Sequence, residues 1–303
     1  MKEIVRGIGA LLLYFLFCLF LTGIGRDACA QQAIGVFSSY EYFPYAELAD
    51  PGEEAEGLEI QTSSWSVGAA FPFAFAEGKI VLLNQFNYRR VDYDFRNMPE
   101  AGIDVEQAQS IEYTAFLIDS LSERWKRVAA LTPGLASDFE GEISGDDFTL
   151  QAMFGFIRRH SENLSLGAGV AYVRDFGDPI PLPFVYFDWS HGSNLSATGI
   201  LPQNVDLSYQ LNPRIDLGLS LKIVGNRYHG DPDIYPVANP QMEYSEGTAS
   251  PMVRIHFLEW VHLTIEGGYA FYRNFEFLDG DKTHQSYDLK KTGYLRAGLV
   301  LGM

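Results

Sequence analysis

Six histidines, His160, His191, His229, His256, His262 and His284, are the only imidazoles in the 303-residue chain. A serine nucleophile needs such a base within hydrogen-bond reach and a third group to orient it, and no spacing around these six nominates a partner set. The chain holds no G-x-x-x-x-G-K-[ST] loop, no H-E-x-x-H pair and no G-x-S-x-G elbow, so the motifs with a defined mechanism are missing. Gly167-Ala168-Gly169 lacks the third glycine of a dinucleotide loop and reads as strand glycine on a crowded wall. His256 and His262 flank a turn at Leu258-Glu259-Trp260 that sets them opposite each other. Two imidazoles fall short of the three or four ligands of a zinc site, so a polar pair is expected, with no metal, no cofactor and no enzyme activity.

A second set of chemically capable residues is ionic. Lys222, Arg254, Glu266 and Arg296 sit in segments where large apolar residues alternate with small or polar ones. The formal net charge is −17, and removing the three cations and two carboxylates of residues 1–30 leaves −18, a surface that repels nucleic acid. Acidic residues gather at Glu53-Glu54-Ala55-Glu56, Glu140-Gly141-Glu142 with Asp146-Asp147, and Asp231-Pro232-Asp233. None has the ligand spacing of a calcium loop, so solvated loop charge is the reading.

The elements that must carry these residues are strands. Leu164, Leu166, Ala168, Val170 and Tyr172 share one face of a period-two segment, opposite Ser165, Gly167, Gly169 and Ala171. Ile215, Leu217, Leu219, Leu221 and Ile223 oppose Asp216, Gly218, Ser220 and Lys222. Val261, Leu263, Ile265, Tyr269 and Phe271 oppose His262, Thr264, Glu266, Gly268 and Ala270, and the last segment sets Leu295, Ala297, Leu299, Leu301 and Met303 against Tyr294, Arg296, Gly298 and Gly302. From about residue 33 onward no helical period intervenes.

Upstream lies an export signal: Lys2 and Arg6, an apolar run from Ile8 to Gly25, and small residues at Ala28-Cys29-Ala30. Cleavage is expected between Ala30 and Gln31, giving a signal peptide over 1–30 and one domain over 31–303; an uncleaved anchor is the competing reading. Cys18 and Cys29 are the only cysteines, and both would leave with the signal.

Short turns at Glu77-Gly78, Ser122-Glu123-Arg124, Ser161-Glu162-Asn163, His191-Gly192-Ser193, Asn212-Pro213 and Leu258-Glu259 alternate with longer connections near 49–57, 97–107, 138–147, 175–182, 229–241 and 276–286. Two successive short turns, at 191 and 212, require one reversal between them, and Leu201-Pro202-Gln203-Asn204 is the place for it. The count is then 14 strands, with 12 as the alternative. The fold class is all-β: a single up-and-down antiparallel transmembrane β-barrel, whose wall alternates apolar outside and polar inside. A cation facing lipid at mid-bilayer costs ~2–4 kcal/mol, so Lys222, Arg254, Glu266 and Arg296 are expected to face the lumen with His256 and His262. Arg254, Glu266 and Arg296, from successive strands, are candidates for a ladder across the wall where the hairpin registers allow it; charges that only pair with one another to hold the strands are the alternative. Pro72 and Pro133 interrupt strand-like segments, and because proline removes a ladder donor they are expected at the rim or at a bulge, with a kink in the wall as the alternative.

With its export signal, alternating strands, aromatic strand ends such as Tyr40-Glu41-Tyr42-Phe43 and Phe271-Tyr272, and alternating C-terminal strand, the chain resembles bacterial outer-membrane β-barrels. It is similar to an uncharacterised family of such barrels and, more loosely, to the 14-stranded channels for fatty acids and aromatic compounds. The departure is the end, Leu299-Val300-Leu301-Gly302-Met303, where such barrels finish on an aromatic residue. The resemblance implies a cell outer membrane location. Outer-membrane lipid, lipopolysaccharide and the barrel-insertion machinery are the expected partners, and passive passage of a small or apolar solute the expected function. A structural or adhesive barrel with acidic surface loops is the alternative, and an enzyme at the rim the third.

Overall fold

The computed structural model describes residues 34–49, 57–97, 106–173, 180–230, 239–280 and 282–302. The expected signal segment and its cleavage point lie outside the described residues. Among those described, the regular structure is strand: β1 (Gly35–Glu47), β2 (Glu59–Phe75), β3 (Ile80–Arg96), β4 (Gln107–Ser120), β5 (Trp125–Ser137), β6 (Phe148–Ser161), β7 (Leu164–Val173), β8 (Ile180–His191), β9 (Leu195–Leu201), β10 (Asn204–Asn212), β11 (Ile215–His229), β12 (Pro240–Leu258), β13 (Val261–Asp279), β14 (Lys282–Asp288) and β15 (Thr292–Gly302).

Each strand from β2 to β13 pairs antiparallel with its predecessor. β13 then pairs with β15, and β15 returns to β1 from Gly35↔Gly302 to Tyr42↔Leu295, closing the ring. β14 lies along the far end of β13, from Asn274↔Asp288 onward, where β15 has ended. The two are halves of one wall strand, which makes a closed, up-and-down barrel of 14 wall strands.

Alternation decides the faces. Leu217, Leu219 and Leu221 of β11 and Leu295, Leu299 and Leu301 of β15 are exposed on the outer surface. Ser220 of β11, Met252 and Ser250 of β12, Glu266 of β13 and Glu41 of β1 are buried on the other face. A water-soluble barrel reverses this arrangement; apolar outside with polar inside is the pattern of a wall solvated by lipid. Trp125, Tyr209, Phe257 and Trp260 are exposed beside the tight turns, where an aromatic girdle meets the bilayer interface.

Six tight turns, at 76–79, 121–124, 162–163, 192–194, 213–214 and 259–260, gather at one end with both chain ends of the wall. Gly78 (φ +83°) and Gly192 (φ +62°) supply the left-handed backbone two of them need. Longer connections lie at the opposite end. One expected there, over 276–286, is strand instead: β13 runs on to Asp279, turns at Gly280 (φ +61°) and comes back as β14. Its alternating Phe275 and Phe277 find a core to fill, which an exposed loop would not offer.

That core closes the long-loop end. Val91 and Tyr93 from β3, Ala108 from β4 and Ala136 from β5 meet Tyr228 from β11, Met242 and Tyr244 from β12 and Phe275 and Phe277 from β13 in one buried cluster. β5 and β11 stand on opposite sides of the ring, yet Ser137 pairs with His229 across it. The carbonyl of His229 accepts from the Ser137 hydroxyl at 3.0 Å and the Asp138 amide at 3.2 Å.

The β9–β10 hairpin stops short of this seam. β9 has seven residues, against the ~9–11 that a tilted spanning strand needs. Its tip, at Leu201 to Asn204, leaves β8 without a β9 partner above Val185 and β11 without a neighbouring strand on that side between Val224 and Tyr228. Among the described residues the wall therefore has a notch above the hairpin, bounded by β8 and β11. Three strand spacings make it roughly 14 Å wide at the base.

Candidate functional site

An ionic network crosses the lumen below the aromatic core. Register builds it: Glu41 of β1 lies opposite Arg296 of β15, and Arg296 opposite Glu266 of β13. Arg296 donates to Glu266 at 3.0 Å and to Glu41 at 2.5 Å. Lys222 reaches Glu266 from β11 at 2.8 Å, Arg89 of β3 stands 3.9 Å from Glu41, and Glu246 of β12 lies 3.8 Å from Arg296. Above it, Arg273 donates to Thr62 on β2 at 2.9 Å and to the Tyr244 hydroxyl at 3.2 Å, with Phe43 beneath its guanidinium at 4.5 Å. Tyr244 in turn donates to Glu246 at 2.5 Å.

Charges taken out of water are tolerated when paired and hydrogen-bonded, and the network meets that condition with three carboxylates against four cations. Glu246 is 0% exposed and its Oε1 has no hydrogen-bond donor, while Nη1 of Arg273 has no acceptor. The bar of charge is thus braced from six strands, β1, β3, β11, β12, β13 and β15, with these two buried polar atoms outside its hydrogen bonds.

The sequence-derived residues separate into two groups. Lys222, Glu266 and Arg296 come together in the network. Arg254 does not: β12 sets Met252, not Arg254, opposite Glu266, and Arg254 falls opposite Thr264, nearer the tight turns. Its guanidinium stands 4.0 Å from Asp216 of β11. The ladder of Arg254, Glu266 and Arg296 is therefore corrected, with Lys222 in the place given to Arg254. His256 and His262 face each other across the β12–β13 hairpin, Nδ1 to Nδ1 at 2.7 Å, and His256 Nε2 lies 2.9 Å from Asp216. One Nδ1 must donate and the other accept; with Asp216 accepting from Nε2, His256 takes the acceptor role and His262 the donor.

Glu41, Arg89, Glu246 and Arg273 were not singled out from the sequence. A signal existed for Glu41, a lone carboxylate alternating with Tyr40 and Tyr42, and for Arg273, which directly follows the outward Phe271 and Tyr272. From the sequence alone His229 is one histidine among six. In the structure it sits at the seam, 3.0 Å from Asp147 and 3.1 Å from Asn239.

Neither proline shifts the strand register. Pro72 pairs with Leu83 beyond the point where β1 begins, so its missing donor has no strand to serve. Pro133 pairs with Leu150 of β6, and on its other side the β4–β5 ladder skips from Glu112↔Gly134 to Ala115↔Leu131.

Comparison with solved structures finds barrels at low identity. The COG4313 outer membrane channel from Pseudomonas putida F1 is similar at 11% identity over 92% of this chain and 100% of that one, with a TM-score of 0.47. The P. putida toluene transporter TodX is similar at 8% identity over 90% of both chains, TM-score 0.40. The NanC porin is similar at 9% identity over 89% of this chain and 100% of that one, TM-score 0.35. No curated protein matches the chain. Residues 26–302 match one family model along nearly the whole length, and the chain belongs to that family, described as Domain of unknown function (DUF6268).

Proposed function

We infer that this protein is a bacterial outer-membrane barrel that passes a small or apolar solute passively and selectively, and that it is not an open aqueous pore. One observation carries the reading: the lumen is occupied, by the aromatic core at one end and by the Lys222–Glu266–Arg296–Glu41 network beneath it. A general pore leaves that space to water. In this reading the tight turns face the periplasm and the long connections the exterior. Outer-membrane lipid and lipopolysaccharide surround the wall, and the barrel-insertion machinery assembles it.

The test is planar-bilayer recording alongside solute uptake by cells that produce the protein. Small or rare ion conductance together with uptake above that of cells lacking the barrel is the expected result. A large, steady conductance overturns the selective reading. The closed outer end also favours a second reading, a structural or adhesive barrel presenting the exposed Glu140, Glu142 and Asp146. Absence of both conductance and uptake would leave that one standing.

A further inference from the structure

The notch above the β9–β10 hairpin is a finished opening, and three observations say so. The first is the edge chemistry of β8. Pro181 and Pro183 lie two residues apart and so direct the same edge of the strand, and the ladder to β7 runs through Tyr172↔Pro181 and Val170↔Pro183 without a shift. The N–H groups that proline lacks are therefore those that would point into the notch. Proline belongs on strand edges that must not recruit another strand.

The second is a cavity at the notch of about 180 Å³. Its lining includes Pro183 and Leu201, which alternation directs to the lipid side, and Leu182, Phe184, Met153 and Ile200, which it directs to the lumen. The cavity straddles the wall, and its surface is mostly hydrocarbon. The third is continuity. A second cavity, of about 370 Å³, reaches down to Arg124, Lys126 and Arg159 beside the tight turns, and the two share Met153, Phe184 and Ile200.

Phe184 is built as the constriction between them. Its ring lies on Gly155 and Gly169 of the inner wall, where an added Cβ would stand 2.6 Å and 2.5 Å from ring carbons. Only bare backbone at those two positions lets the ring sit this close to the wall.

Resting on the channel reading above, we propose that the apolar body of the solute crosses the wall sideways through this notch, between the outer leaflet and the lower lumen. The route passes Phe184, Met153 and Ile200 and leaves the closed outer end shut. A hydrocarbon body fits because, among the described residues that line the path, the charged side chains are at its lower mouth. An unsealed strand edge is also tolerated at membrane depth where it lines a cavity.

The experiment measures uptake of radiolabelled tetradecanoate by cells producing the wild type, Pro183→Trp, Ile200→Trp or Phe184→Ala, each checked for the barrel's migration on gels before and after boiling. Pro183→Trp fills the notch from outside the lumen, and Ile200→Trp fills the constriction from within. The wild type is expected to raise uptake several-fold over cells without the barrel, both tryptophan variants to return it to that background, and Phe184→Ala to keep or exceed it. If Ile200→Trp fails to fold, Pro183→Trp decides alone. Uptake by folded Pro183→Trp at the wild-type rate overturns the lateral route. Conductance in bilayers without any tetradecanoate uptake overturns it too and leaves the channel standing, whereas loss of both removes the channel reading itself.

Discussion

Replacing Glu266 by Gln keeps the side chain's size and takes away the charge at the centre of the network. Glu266 is 5% exposed and accepts from Lys222 at 2.8 and 3.1 Å and from Arg296 at 3.0 Å. Removing one partner of a buried pair costs about 3–5 kcal/mol, because the other charge stays behind unbalanced. Two features pull this case to the low end. Arg296 keeps Glu41 at 2.5 Å, and the Lys222 side chain is 24% exposed, so water compensates it in part. The expected loss is about 3 kcal/mol, read as the guanidinium midpoint of the barrel in lipid vesicles at constant slope. Adding Lys222→Met to Glu266→Gln should recover a good part of it, with a coupling of about 1–3 kcal/mol in the double-mutant cycle. In a conducting barrel the reversal potential should move toward anions, because the network gains one net positive charge. A loss under about 1 kcal/mol with additive single effects would refute the pairing; unchanged selectivity with the full stability loss would leave the network as a brace alone.

Leu219→Arg places a cation on the lipid face and should cost ~2–4 kcal/mol, while Ser208→Lys, on the lumen side of the same hairpin, should cost far less; equal costs in vesicle unfolding would reverse the face assignment. Phe275→Ala empties the middle of the aromatic core, where the ring is 0% exposed, and should cost about 3–5 kcal/mol by the same measurement. His229→Ala takes the ring partner from Asp147 Oδ1 and should cost about 1–3 kcal/mol, with faster hydrogen exchange at the Asp138 amide; protection equal to wild type there would mean the seam holds without the ring.

Much of the wall was legible because a period of two is a local property. The alternating faces of 164–172, 215–223 and 261–271 return as β7, β11 and β13, and the parity of two successive short turns returns as the seven-residue β9 and its partner. What stayed hidden depends on residues far apart in the chain. Arg296 and Glu41 are 255 positions apart, and Arg254 could not be told from Lys222 as a partner of Glu266 without the register that pairs Met252 with Glu266. The 276–286 stretch reads as loop because of its polar residues, and Phe277 within it gains meaning only beside Phe275, which packs against Tyr93 from β3. Pro181 and Pro183 carry a local signal of their own: two prolines in one strand, on one edge.

The seam between Ser137 and His229 also changes the size of the ring. At its level the wall consists of β11, β12, β13, β14, β1, β2, β3, β4 and β5, joined at Leu48↔Leu289 and at the seam itself. Strands β6 to β10 drop out as a side panel. Barrel diameter grows roughly linearly with strand number, so a nine-strand neck is about two-thirds as wide as the wall beneath it and close to the roughly eight-strand size that side chains alone can fill. A barrel of this build needs no separate plug domain, since shortening one panel narrows its own throat to the width of a few aromatic rings.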